Sequence, residues 1–379
     1  MSKYYLLTEE QKELQSLVRE FAQNEIAPHA AEWDRNGEIP REYLEKGFEI
    51  GLHLTGIPEK YGGMGLDAVT RCIIREELGK ADAGYSITMG ASILGYLPLE
   101  IAGNEEQIKK YVDIIKQRNF SAFCLTEPTG GSDAGMMMTT AKKVGDEYVI
   151  NGRKCFITNG ALASVYTVFA VTDKSKGVKG ISAFIVERDR KGVSVGKKED
   201  KMGIRSSVTT DVLFEEVRVP AKNLIGEEGK GFKIAMQTLD RTRAEGSATV
   251  VGICQAAIDH CVKYAKERVV FGKPIAHHQA VAFMLADMEI QTQAARQLVL
   301  YTARLLDNGI VDGMVSACAK TFVSDTAVKV TTDAVQVLGG YGYCKDYPVE
   351  KLMRDAKIFQ IVEGTNQIQR IVISGNMIK

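Results

Sequence analysis

Long apolar runs are missing from this 379-residue chain: none approaches the roughly 18–20 residues that a membrane helix needs. A surplus of charge is missing as well. Forty-eight Lys and Arg meet forty-eight Asp and Glu, so the formal net charge is zero and no global field recruits nucleic acid or an anionic membrane. Paired cysteines are absent; the seven thiols (Cys72, Cys124, Cys155, Cys254, Cys261, Cys318, Cys344) are scattered without a CxxC. That scatter predicts a reducing compartment and no zinc site. The opening stretch "MSKYYLLTEEQKEL" has neither a signal-peptide core nor an Arg-rich, acid-poor transit pattern, so cytoplasm is the expectation. No phosphate loop of the Walker type, no HExxH and no GxSxG elbow occurs.

What is present falls into stretches of different period. Apolar residues make up 45 % and charged residues 25 %, as in a globular protein with sizeable cores. Thr8 and Gln11 form a capping-box pair; Leu14, Leu17, Val18 and Phe21 make one predicted stripe that Pro28 should end. Helical character continues to about residue 118, broken by the glycine-rich 59–67. Then "EYVINGRKCFITNG" sets two Asn-Gly pairs, Asn151-Gly152 and Asn159-Gly160, beside β-branched runs, a hairpin signal. Strand-rich segments continue to Pro220. From about Gly231 helices return, with Val281, Met284, Leu285 and Met288 at helical spacing and a long buried helix over 313–338. Runs of one type followed by runs of the other predict an α+β protein with a C-terminal antiparallel bundle.

Candidate chemistry is sparse on the residues alone. "LGGYGY" (338–343) follows a helix and makes a poor dinucleotide fingerprint, and His277-His278 reads as a helix start without metal partners. Near the end, "IVEGTNQIQR" (361–370) places Glu363 on a turn before a helix that Thr365 caps and that Ile368, Ile371 and Val372 mark. Taken alone it is an acid favoured by a helix dipole.

Seven stretches carry a resemblance that spans the whole chain. They are "CLTEPTGGSDAG" (124–135), "INGRKCFITNG" (150–160), "DKMGIRSS" (200–207), "GEEGKGFKIAM" (226–236), "ERVVFGKPIAHHQA" (267–280), "DAVQVLGGYGY" (333–343) and "YPVEKLMRDAKIFQIVEGTNQIQR" (347–370). In order and spacing they resemble the flavin-dependent acyl-CoA dehydrogenases. The resemblance implies an N-terminal helical domain (1–120), a middle β-barrel-like domain (121–230) and a C-terminal four-helix domain (231–379). It implies FAD lying across a subunit boundary in a homotetramer, an acyl-CoA substrate, and an electron-transferring flavoprotein as electron acceptor. Glu363 matches the family's base and Arg243 an arginine near the active site. Leu125, Thr126, Ser132, Phe156 and Thr158 match the flavin seat, with Ser132 also toward the substrate. Arg268, Phe271, Gln336 and Gly340 match contacts made to a neighbouring subunit's FAD, and Thr365 and Gln367 complete them. Phe156 stands where relatives often carry Trp, and Val270 replaces a polar residue. Thr242 occupies the place where some relatives keep an alternative base. Glu245 has no expected counterpart and reads first as a solvated charge, second as another acid near the acyl pocket.

Substrate choice rests on the uncharged "SITMGASILGYLPL" (86–99) and on Val362, where straight-chain members commonly carry Tyr. A smaller side chain beside the base, with Gly364 after it, leaves room for an α-branch or a ring, such as a cyclohexane-1-carbonyl group. Four alternatives stay open: a short- or medium-chain straight acyl-CoA, an enoyl-CoA reductase running the chemistry in reverse, a catalytically silent acyl-CoA- or flavin-binding assembly protein, and an acyl-CoA oxidase that passes electrons to oxygen.

Overall fold

A computed structural model of the protein describes residues 6–378; the first five residues of the opening stretch lie outside it. Helices come first: α1 (Glu9–Phe21), α2 (Ala30–Asn36), α3 (Arg41–Glu49), α4 (Ala68–Ala81), α5 (Ala83–Ala102) and α6 (Glu105–Ile115). The strands follow as β1 (Phe120–Cys124), β2 (Thr140–Val144), β3 (Glu147–Thr158), β4 (Ala163–Val171), β5 (Ile181–Glu187), β6 (Val193–Lys198), β7 (Thr209–Pro220) and β8 (Leu224–Ile225). Helices then return as α7 (Gly231–Glu267), a short β9 (Val269–Val270) and β10 (Lys273–Pro274) hairpin, α8 (Gln279–Asp307), α9 (Gly313–Leu338), α10 (Val349–Lys357) and α11 (Asn366–Met377). The protein is therefore α+β, with helical ends and one sheet between them.

The Thr8–Gln11 capping box forms as predicted, yet the stripe behind it differs in two respects. Leu17 is 64 % exposed, one position off the face that carries Val18. The α1 path also does not stop at Pro28. It ends at Phe21 and passes through a π turn (Ala22–Ile26) and a 3-10 turn (Ala27–His29) into α2. Pro28 sits in the first turn of that 3-10 segment, where its missing N–H costs nothing.

The sheet runs β6-β7-β3-β2-β4-β5-β8, with β1 paired parallel to β4. The β2–β3 hairpin turns at Gly145 and Asp146, where Gly145 has φ 59°. Asn151-Gly152 is not a turn but a bulge inside β3, where the register against β7 shifts. Asn151 is held there by two bonds with Glu216 of β7, 2.7 and 2.8 Å. A local Asn-Gly pair loses to a cross-strand pairing that the sequence window does not contain. Asn159 does start a turn, with φ 59°, but β3 and β4, which it joins, are not paired with each other.

The 37-residue α7 is the axis of the helical part, packed on α4, α5, α8 and α9. Close approach to α4 depends on two glycines. A Cβ on Gly79 would meet the Thr249 backbone, and one on Gly252 would come 2.6 Å from Lys80 N. That approach decides which α4 side chains face α7, and hence the surroundings of the site. Among the described residues no helix is long and apolar enough to cross a membrane.

Candidate active site

Glu363 sits in the turn between α10 and α11, and its backbone is strained. Its φ is 57°, in the left-handed region, and Gly364 follows at 87°. For a non-glycine residue such a conformation costs of order 1–3 kcal/mol and persists only when its surroundings over-determine it. They do. Gln369 Nε2 donates to the carbonyls of Glu363 and Gly364 at 2.9 and 3.0 Å. From α9, Lys320 Nζ donates to Gly364 O and Asn366 Oδ1, both at 2.7 Å. Thr365 caps α11 by accepting from Ile368 N at 3.3 Å. The carbonyls of the turn are thus occupied, while the Glu363 N–H donates to no acceptor among the described residues.

The carboxyl group itself lies against Gly246 of α7: a Cβ there would stand 3.2 and 3.3 Å from its two oxygens. Burial pushes the Glu363 pKa up from the ordinary carboxylate range, against the pull of Arg243 and Lys320; Glu245 adds to the push and Arg75 opposes it. Lys320 is nearly buried, and burial brings its pKa down to about 8. Arg243 is not a surface charge. It is buried, pairs with Asp240, donates to Ser316 Oγ at 3.2 Å, and keeps a buried Nε without a partner.

Glu245 corrects the first reading made of it. Rather than a solvated charge, it is buried and accepts from Arg71 Nε of α4 at 2.7 Å, with Arg75 Nε 4.0 Å away. Successive residues of α7 therefore face different partners: Arg243 toward α9, Glu245 toward α4, Gly246 toward the acid. Thr242 is buried and bonded to Leu239 O at 3.3 Å.

A second group gathers where the segment after β1 meets β3. Thr126 O accepts from Cys155 N at 2.9 Å, and Lys154 Nζ, fully buried, reaches Leu125 O at 3.1 Å and Glu127 Oε1 at 2.7 Å. Glu127 in turn accepts from the N–H groups of Met138 and Thr139. This latch fastens the loop carrying Leu125 and Thr126 beside Phe156 and Thr158. Phe156 is 66 % exposed with φ 57°. The hydroxyls of Thr126, Ser132 and Thr158 find no partner among the described residues. An exposed aromatic ring on β3, with the free hydroxyl of Thr158 on the same strand and that of Thr126 on the segment latched to it, fits a flat heteroaromatic ring with polar edges.

The remaining site candidates stand elsewhere. Arg268 and Phe271 lie past the far end of α7, and Gln336 and Gly340 at the end of α9. Arg268 covers the Tyr341 ring at 5.6 Å, which ties the two pairs together. At 1.5 Å per residue, the 22 positions from Gly246 to Arg268 put this group about 33 Å from the acid. All four are exposed, Phe271 by 95 %. Gln367 is also exposed, and Val362, beside the acid, is 37 % exposed.

Sequence reasoning missed Lys320, Gln369, Gly246, Arg71 and Arg75. Lys320 leaves a trace, being the one charged residue of α9 before Asp325. Arg71 and Arg75, four apart amid Cys72, Ile73 and Ile74, are cations on a helix that buries most of its surface. Gly246 and Gln369 carry no local signal. Ile371, expected on the buried face of α11, is 64 % exposed, because Asn366 and Gln369 occupy that face.

Residues 8–119, 122–217 and 229–378 match the N-terminal, middle and C-terminal domains described for acyl-CoA dehydrogenases. A probable acyl-CoA dehydrogenase of Mycobacterium tuberculosis is 47 % identical over 377 residues, covering 99 % of this chain and 97 % of that protein. The structure of butyryl-CoA dehydrogenase from Megasphaera elsdenii superposes with a TM-score of 0.96 at 45 % identity, over 99 % of this chain and all of the other. A chain in the structure of the electron transferring flavoprotein of Acidaminococcus fermentans, described there in terms of electron bifurcation, superposes equally well at 0.96, with 47 % identity and 99 % coverage of both.

Proposed function

This chain belongs to the acyl-CoA dehydrogenase family, and on that footing we propose that it oxidises the Cα–Cβ bond of an α-substituted acyl-CoA, branched or alicyclic. The family's enzymes are FAD-dependent oxidoreductases. The reading rests above all on Glu363, an acid with a raised pKa held in a strained turn. A thioester α-C–H is a weak acid, so removing its proton needs a base against the carbon and hydrogen bonds to the carbonyl oxygen as charge grows there. Glu363 is the base, and its unpartnered N–H is the donor offered to the carbonyl. Desolvation brings its proton affinity toward the working range.

FAD, when bound, supplies the acceptor for the β-hydrogen and its electron pair. The ring would rest on Phe156 between the hydroxyls of Thr126 and Thr158 and the Leu125 backbone, with Ser132, Thr365 and Gln367 beside it. Arg268, Phe271, Gln336 and Gly340, too remote from the acid to serve it in one chain, would hold the diphosphate and adenine of FAD in a neighbouring subunit. That division needs an oligomer, a homotetramer in this reading. Exposed Phe283, Ile290, Phe322 and Ile371 on α8, α9 and α11 favour it, as does a groove of about 610 Å³ lined by Leu298, Cys318, Phe322 and Ile373.

The three domains would divide at residues 120 and 230, with electrons leaving to an electron-transferring flavoprotein in the cytoplasm. The small Val362 beside Glu363 is what favours an α-substituent. The test is anaerobic flavin bleaching by a panel of acyl-CoA thioesters. Glu363→Gln should still bind thioester, seen as a perturbed flavin spectrum, yet lose nearly all reduction; near-normal reduction would remove the base.

A further inference from the structure

One buried cation beside the acid has no role in the chemistry above. Arg75 extends from α4 to α5, where its Nη1 donates to Ser86 O and its guanidinium lies over Gly90, so that a Cβ at Gly90 would overlap it. Its side chain keeps 9 % of its exposure. The nearest acid is no hydrogen-bond partner: Glu245 Oε2 stands 4.0 Å from Arg75 Nε because Oε1 is committed to Arg71 at 2.7 Å. Nε and Nη2 of Arg75 thus have no acceptor among the described residues. The charges around it do not balance either. Asp240 pairs with Arg243, Glu363 faces Lys320, and Glu100 faces Arg71 and Arg241, which leaves Arg75 to share Glu245 with Arg71, the one bonded to it. A guanidinium withdrawn from water with only a shared anion, 4.0 Å away and bonded to another arginine, is costly.

Gly90 on α5 and Gly246 on α7 are both partly exposed in this otherwise packed region. One glycine lies under Arg75 and the other under Glu363, and Glu245 next to Gly246 links the two. We propose that Arg75 is a specificity-determining residue that receives an anionic oxygen of the acyl group, so that the substrate is the monothioester of a dicarboxylic acid. The inference rests on the dehydrogenase reading and narrows it: Val362 leaves room at the α-carbon, and Arg75 binds the distal carboxylate. The redox step is unchanged. Glu363 takes the α-proton, FAD when bound would accept the β-hydrogen with its electron pair as the carbon–carbon double bond forms, and the distal carboxylate is retained.

Glutaryl-CoA and valeryl-CoA share a five-carbon acyl chain and differ in a terminal carboxylate. Anaerobic bleaching of the holoenzyme should show glutaryl-CoA favoured in reduction rate over half-saturation. Arg75→Met should lower the glutaryl-to-valeryl ratio about tenfold or more, the loss of a charge-assisted bond. Arg75→Lys should restore part of it. Gly90→Ala, which displaces the guanidinium without removing its charge, should lower the same ratio and keeps the test open if Arg75→Met fails to fold. Valeryl-CoA preferred by the unaltered enzyme, or both thioesters affected equally by Gly90→Ala, would overturn the inference while leaving a dehydrogenase in place. A flavin that no thioester bleaches would overturn the dehydrogenase reading itself.

Discussion

Replacing Lys320 by Met removes the clamp on the acid's turn while keeping a long side chain in α9. Lys320 makes two charge-assisted bonds of 2.7 Å, to Gly364 O and Asn366 Oδ1, each worth about 1.5–3 kcal/mol. The loss is smaller than both together, since Gly364 O keeps Gln369 at 3.0 Å and Asn366 Oδ1 keeps Ser324 at 3.2 Å. A net cost of about 2–3 kcal/mol is comparable with the strain of a left-handed glutamate. The turn should therefore relax, and a base displaced by about 1 Å loses about a hundredfold in rate. The assay is stopped-flow bleaching of the holoenzyme over a pH series. The Lys320 charge pulls the Glu363 pKa down, so without it the acid limb of the rate profile should move to higher pH. A stability signature accompanies this. Folding lowers the Lys320 pKa from 10.5 to about 8; between those values the unfolded chain binds more protons, so the residue adds stability as pH rises through that window. Lys320→Met should lack that rise. A reduction rate within about threefold of normal, with an unmoved acid limb, would refute the clamp.

Gly246→Ala should separate stability from activity. Alanine favours the helix by about 1 kcal/mol, while its Cβ, 3.2 Å from a Glu363 oxygen, pushes the base aside. Thermal unfolding should hold or rise and bleaching slow about tenfold, whereas an unslowed rate would mean that the carboxylate has slack. Val362→Tyr should depress turnover of branched or alicyclic thioesters more than of butyryl-CoA, and equal effects would remove the case for an α-substituent. Lys154→Met strands the buried Glu127 carboxylate at a cost of about 3–5 kcal/mol. It should release flavin on gel filtration, and full flavin retention would show that the latch does not shape the seat.

The helices and strands were legible in the sequence wherever the cue was local and unopposed. The long α9 over 313–338 and the cap at Thr365 follow from apolar period and side-chain chemistry within a few residues. Motifs also carried the family, because a base, a glycine and a cap in "IVEGT" retain their order whatever surrounds them. Asn151-Gly152 shows the limit: its turn chemistry was real, but Glu216, 65 positions away, took the asparagine into a bulge.

The surroundings of the acid belonged to tertiary structure alone. Segment 86–99 is uncharged along the chain, yet the folded protein lays the Arg75 guanidinium over Gly90 of that segment. Glu245 read as solvated until the approach of α4 to α7, allowed by Gly79 and Gly252, buried it against Arg71. Periodicity reports which face of a helix turns inward. Which charge waits there, and how far it shifts a carboxyl pKa, depends on distances between segments that meet only after folding, and Coulomb energy and desolvation are functions of those distances.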